Sequence, residues 1–317
     1  MILHARGILA EWEASCGHLP RLEIGGASVL WAAPWRDDPA VQSDTAIPVV
    51  DRRLGGTFTC APFGQDDLDG GPPHGLAANA PWQVTRSSPS SVSATRRIGR
   101  GHLTARIAVR HDHPVLYQTH TLDLDRRCTF AHHPIIHAAA GAWLSANARA
   151  ILTFDAEAPF LLQGRRLTKL PTEIPTGPHE DFATLTGATG LGWTALARLA
   201  EGDTIVTLRQ TDQLPVTNLW FSDGARGGMW RNARGLIGVE GAICAGAEGF
   251  AAALSDNRVA ADGVPTALPP GRHVIPHAIV RIAGCHRISG VVLAPGALRL
   301  QTGVETLTVP FDETHFA

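Results

Sequence analysis

The sequence predicts an all-β protein, a single large antiparallel β-sandwich over residues 1–317. Three observations carry that expectation. Helical periodicity is scarce, short runs of alternating or β-branched residues recur along the chain, and 33 glycines and 22 prolines supply turns between them. The connections are too short for crossover helices, so an antiparallel arrangement fits better than α/β.

The predicted strands follow in chain order: Arg21 to Trp31, Thr57 to Phe63, Ser91 to Ile98, His102 to Arg110, Val115 to Leu124, Ala148 to Phe154, Asp203 to Gln210, Val216 to Ser222, His273 to Ala283 and Gly296 to Val309. The fourth is the clearest. His102, Thr104 and Arg106 share one parity while Leu103, Ala105, Ile107 and Val109 share the other, which is the pattern of a half-buried strand. The segment Asp66 to Pro73 reads as a loop by its turn chemistry, and Asp262 to Arg272 as another. No fixed-period repeat or composition shift divides the chain.

Charge and length exclude several functions. Lys and Arg total 27 against 29 Asp and Glu, so no global field draws the chain to nucleic acid or to an anionic membrane. No stretch reaches the ~20 apolar residues of a bilayer span, and the first residues lack the pattern of a secretion signal. A cytoplasmic location is expected. The five cysteines, Cys16, Cys60, Cys128, Cys244 and Cys285, are odd in number and widely spaced. They suit buried apolar positions better than a disulfide framework or a zinc site.

Fifteen histidines are present, and they cluster at His111-Asp112-His113 and His132-His133-Pro134-Ile135-Ile136-His137. Pro134 and the isoleucine pair favour extended chain there. His133 and His137 then share a face about 13 Å apart at ~3.3 Å per residue, too far to chelate one ion. His111 and His113 are closer but have no third ligand at hand. No protein metal site is expected from this spacing.

Two other segments suggest chemistry. Gly70-Gly71-Pro72-Pro73 fixes a loop that delivers His74 and Asn79 just before Trp82, and polar groups beside an indole face suit a sugar. Leu236-Ile237-Gly238-Val239-Glu240 is an apolar run ending in a carboxylate, whose desolvation would raise its pKa toward that of a useful base. Glu248 competes for that role.

Taken together, these segments resemble the galactose mutarotase-like (aldose 1-epimerase) family. His74-Gly75-Leu76-Ala77-Ala78-Asn79-Ala80-Pro81-Trp82 is similar to its "HGFARNxPW" segment, and His133-Pro134-Ile135-Ile136-His137 to "HPYFN". Ile174-Pro175-Thr176-Gly177 resembles its "IPTG" turn, and Leu219 to Gly224 the strand end that precedes the catalytic Glu, here Glu240. The order holds from about residue 20 to 285. The resemblance implies a one-domain supersandwich that opens and closes a sugar ring with no metal and no organic cofactor, Glu240 acting as base and His133 as acid. It implies that His74 polarises the sugar while Asn79 and Trp82 shape the cleft.

The chain departs from the family pattern in three places. The "FARN" arginine is Ala78, leaving Arg53 or its neighbour Arg52 as substitutes, and the acid expected near Trp193 is missing, with Asp181 the nearest upstream. The "YF" pair is Ile135-Ile136. Two rival functions accompany the epimerase reading: a carbohydrate-binding protein without catalysis, and a phosphosugar 1-epimerase using Arg52, Arg53, Arg96 and Arg97. The partner in each case is a small sugar, and the oligomeric state is left open.

Overall fold

A computed structural model describes all 317 residues. Strands account for 48% of the chain and helix for 11%, with no helix longer than five residues. No helix is long and apolar enough to cross a membrane.

Two large antiparallel sheets are stacked face to face. The first has 11 strands, and its central members are Thr57–Cys60, Phe130–His137, Leu236–Ile243, Val216–Asp223 and His179–Thr186, neighbours in that order. The second has nine, centred on Leu191–Arg198, Asp203–Gln210, Gly271–Ala283 and Val115–Leu124. A separate three-stranded sheet, Gly290–Ala294, Ala297–Gln301 and Thr306–Pro310, closes the chain.

Strand alternation sorts the apolar residues into three layers. The largest cluster, with Leu22, Leu103, Leu122, Phe130, Phe221 and Ile279, lies between the large sheets. A second, with Trp35, Leu54, Phe58, Ile135 and Leu236, covers the opposite face of the first sheet. A third joins Val115, Trp193 and Leu208 of the second sheet to Leu298, Leu300 and Phe311 of the small one. The C-terminal sheet thus shields an apolar face that would otherwise meet water.

Most predicted strands appear within a residue or two of their expected ends, and His102 to Ala108 alternates strictly between exposed and buried until its last residue. Two expected strands are broken by turns. Arg21 to Trp31 reverses at Gly25-Gly26, whose φ values of 60° and 76° suit glycine, and pairs Glu23 with Ser28. Gly296 to Val309 reverses after Gln301, where the Thr302 hydroxyl accepts from the N–H groups of Val304 and Glu305. That is the local competition with the ladder that threonine offers.

A buried ion network fastens the sheets. Arg198 donates to both oxygens of Asp203 at 2.7 Å, and Arg281 donates to Asp203 Oδ2 at 2.6 Å. Arg198 also reaches the carbonyls of His137 and Ser28 in the other sheet. Burial pushes the Asp203 carboxyl up, but the two guanidiniums outweigh it and hold the group below its ordinary value. Asp203→Asn strands the buried Arg198 and the half-buried Arg281 without their shared anion. It is expected to cost about 3–5 kcal/mol in urea unfolding.

Candidate functional site

Antiparallel register builds the site. The pairs Ala131 with Ala242 and Ile135 with Gly238 place His133 directly across from Glu240. On the far side of each, His133 pairs with Phe58 and Glu240 with Asn218. Four adjacent strands therefore contribute one row of side chains, all on the face turned away from the second sheet. His132, one residue earlier, faces the other way and hydrogen-bonds His120 of the opposing sheet at 2.8 Å.

His133 Nε2 lies 3.1 Å from Glu240 Oε1. Both side chains are buried, Glu240 to 1% exposure. Phe58 stacks on the His133 ring at 4.5 Å and fixes its plane. Glycine at 238 leaves room beside the pair, since a Cβ there would meet Glu240 Oε1 at 3.1 Å and Trp220 Cβ at 3.2 Å. His133 Nδ1 and Glu240 Oε2 have no hydrogen-bond partner although buried. Such groups are costly to leave unsatisfied, and they cluster where a ligand completes the set.

The pair borders a cavity of about 320 Å³, also lined by Asp51, Phe63, Gln65, His74, Phe182, Trp220, Arg226 and Trp230. Burial raises Glu240 to about 8, with the Asn218 amide pulling weakly the other way. Burial also drives His133 well below 6.5, aided by nearby His74. At neutral pH the pair consequently holds one proton, resting on the carboxyl, and the imidazole is neutral.

His74 reaches the cavity from a loop with left-handed backbone, φ 60°. Its Nδ1 faces the Gly64 N–H at 3.4 Å, and burial lowers its pKa to about 4. An imidazole whose Nδ1 accepts carries its hydrogen on Nε2, so His74 is a neutral donor.

Three expected residues thus meet in one cavity: His74, His133 and Glu240. Four do not. Asn79 spends its side chain on the loop, donating to the carbonyls of Pro73 and Gly75 and accepting from the Val50 N–H. It positions the wall without touching the cavity. Trp82 is buried between the sheets against Trp12, its indole N–H on the Ala77 carbonyl, because Gly17 leaves it space. Arg53 turns toward Glu13 at 3.9 Å near the surface. Asp181 points to the opposite face and accepts from the N–H groups of Phe160, Leu161 and Phe182.

Alternation explains the last case. Its neighbour Glu180 faces the site and accepts from both Trp220 Nε1 and Arg226 Nη2 at 2.6 Å. Arg226, Asp51, Trp220 and Trp230 line the cavity and Glu180 lies behind Arg226; sequence reasoning selected none of them as ligands, although Trp220 sits in one of its quoted segments. Ala78 is fully buried and brings nothing to the cavity. His111 and His113 engage the Arg6 N–H and the Tyr117 hydroxyl, well away from it. Glu248, the rival carboxylate, accepts from the Arg258 N–H and caps a turn.

No protein-family model and no curated protein matches the chain. Solved structures do. An Escherichia coli K12 protein provisionally assigned as an aldose 1-epimerase superposes with a TM-score of 0.63 at 15% identity, covering 89% of this chain and 98% of the other. A GalM/aldose epimerase homologue from C. elegans gives 0.57 at 15% identity over 90% and 99%. A galactose mutarotase related enzyme from Lactobacillus acidophilus gives 0.59 at 10% identity over 90% and 97%. The chain has the fold of these proteins.

Proposed function

We propose that this protein is a divergent aldose 1-epimerase that interconverts the anomers of a free sugar by opening and closing its ring. One observation carries the reading: a histidine and a glutamate, 107 residues apart in the chain, stand 3.1 Å apart at the wall of a cavity of about 320 Å³. Small-molecule sites begin at about 300 Å³.

Anomer exchange makes particular demands. The O1 hydroxyl must lose a proton while the ring oxygen gains one, and both oxygens are bonded to the same carbon. Acid and base must therefore stand close together, as His133 and Glu240 do. In the opening step the proton resting on Glu240 crosses the 3.1 Å contact to His133, the carboxylate so formed takes the O1 proton, His133 gives its own to the ring oxygen, the C1–O bond of the ring breaks and a carbonyl forms at C1. Rotation about C1–C2 then presents the other face, and the proton transfers run backwards on closure. His74 supports the reading as a neutral donor to the oxygen on which charge develops.

The pair works only with one proton between its two members. At their ordinary pKa values a carboxylate base would set the lower pH limb and a histidine acid the upper one. The environments reverse that assignment. Activity is expected to fall above about pH 8, as burial-raised Glu240 loses the shared proton, and at acid pH well below 6.5, as His133 gains a second. The rate of exchange of freshly dissolved α-aldose, followed by polarimetry from pH 6.5 to 9, measures the alkaline limb. A rate that climbs steadily through pH 9 contradicts the shared-proton arrangement.

A further inference from the structure

The end of the cavity remote from the proton-transfer pair carries chemistry that ring opening does not use. Thr184 sits in the row of Asn218 and Glu240, and Glu180 lies four residues further along the same strand, opposite Ser222. That separates Glu180 from the pair by about 13 Å of strand. Arg226 is anchored there, its Nη2 on Glu180 Oε1 at 2.6 Å. Its guanidinium lies over the Trp230 ring at 4.5 Å and the Trp220 ring at 5.4 Å. Both restraints hold a planar fork in place with most of its donors unused.

Arg226 is the one guanidinium among the residues lining the cavity, and Asp51 lines the same wall. Glu180 lies buried behind it, with Oε2 lacking any partner. The remote end thus holds two carboxylates for one cation. A phosphate dianion placed there would meet a guanidinium already neutralised, beside a second carboxylate. A hydroxyl would accept from Arg226 and donate to Asp51. The arginines that the phosphosugar alternative requires are elsewhere: Arg52 donates to the Gln42 carbonyl, Arg96 to the Pro81 carbonyl, and neither lines the cavity.

We propose that Arg226, braced by Glu180 and Trp230, is the specificity-determining residue of this site, and that with Asp51 it selects a neutral, unphosphorylated aldose by gripping hydroxyls distant from C1. The inference rests on the epimerase reading. It predicts a binding effect and leaves proton transfer alone.

The test uses the full chain with D-glucose, D-galactose and D-glucose 6-phosphate as probes, and NMR exchange spectroscopy to obtain kcat and KM. The wild type is expected to favour at least one free sugar over the 6-phosphate by about tenfold or more in kcat/KM. Arg226→Ala is expected to raise KM for the preferred sugar about tenfold while kcat stays within about threefold, which marks lost ground-state grip. Arg226→Lys keeps the charge without the fork and is expected to rescue little of it. Asp51→Asn is expected to narrow the gap between the 6-phosphate and the free sugar. Preference for the 6-phosphate in the wild type, or an unchanged KM in Arg226→Ala, overturns the inference and leaves the epimerase reading standing. A wild type inactive on all three sugars sinks the epimerase reading instead. Saturation-transfer binding of the same sugars to wild type and Arg226→Ala then decides the inference alone, and equal binding or none overturns it.

Discussion

Glu240→Gln is expected to reduce anomer exchange by about 10³-fold while making the protein more resistant to heat at pH 7 to 8. The first effect follows from removing one member of a positioned acid–base pair, worth typically 10²–10⁴-fold. The second follows from the price of burial. In the unfolded chain a glutamate ionises near 4.5, whereas in the fold burial raises Glu240 to about 8. A carboxyl with a raised folded pKa contributes stability that is complete below 4.5 and is lost as pH climbs through 8. Each pH unit in that window removes roughly 1.4 kcal/mol. Glutamine cannot ionise, so its variant escapes the loss, and its advantage over wild type should grow from pH 5 to pH 8.

The opposite signs are what make the experiment decisive. A substitution that merely damages packing lowers activity and stability together. One that dismantles a strained functional site lowers the first and raises the second. His133→Ala should be similarly inactive, and because the two residues act as one unit, the double variant should be little worse than either single one. Near-wild-type exchange in both single variants, measured by NMR on fresh α-aldose, would falsify the mechanism.

Legibility of the site in the sequence tracked how rigidly each residue's direction is set by its element. His133 and Glu240 lie inside strands paired in fixed register, and extended chain decides which face a side chain takes. The same rule shows how narrowly Asp181 missed. It lies on the correct strand, one residue past Glu180, and one residue is the difference between the two faces. Trp82 was beyond reach for another reason. Whether an indole at the end of a loop joins the cleft or the core depends on clearance far away in sequence, here at Gly17. Arg226 sits between Gly224 and Gly235, where φ is positive at Gly224, Gly228, Arg231, Asn232 and Gly235. Such a loop has no period from which to read direction. The histidine cluster divided along strand parity: His133 joined the site, and His132 joined a buried polar seam with His120 and His277.

The buried histidines as a group predict sharp acid sensitivity. His18, His120, His132, His133 and His277 are all at most 6% exposed, and burial lowers every one of them from 6.5. His18 falls to about 4, and His120 and His277 to about 3. A histidine held neutral in the fold but free to ionise when unfolded makes the unfolded state the better proton binder at every pH between those values and 6.5. Stability is therefore intact above 6.5 and declines as pH falls below it. On unfolding, these five groups and His74, which burial lowers to about 4, take up six protons, and Glu240, which stays protonated in the fold while its unfolded counterpart ionises above 4.5, opposes them by releasing one. A net uptake of five protons corresponds to roughly 7 kcal/mol of stability lost per pH unit. Set against a typical total of about 5–15 kcal/mol, this should unfold the protein cooperatively between about pH 6 and pH 4.5. Urea titrations at successive pH values give the slope directly. His277→Asn should shallow it by about one proton, because the hydrogen bond from the Gln118 amide is kept by the asparagine oxygen or lost without changing proton count. A wild-type slope of one proton or fewer below pH 6 would mean that these rings find charge-stabilising partners on protonation, and the buried histidines would no longer account for the protein's response to acid.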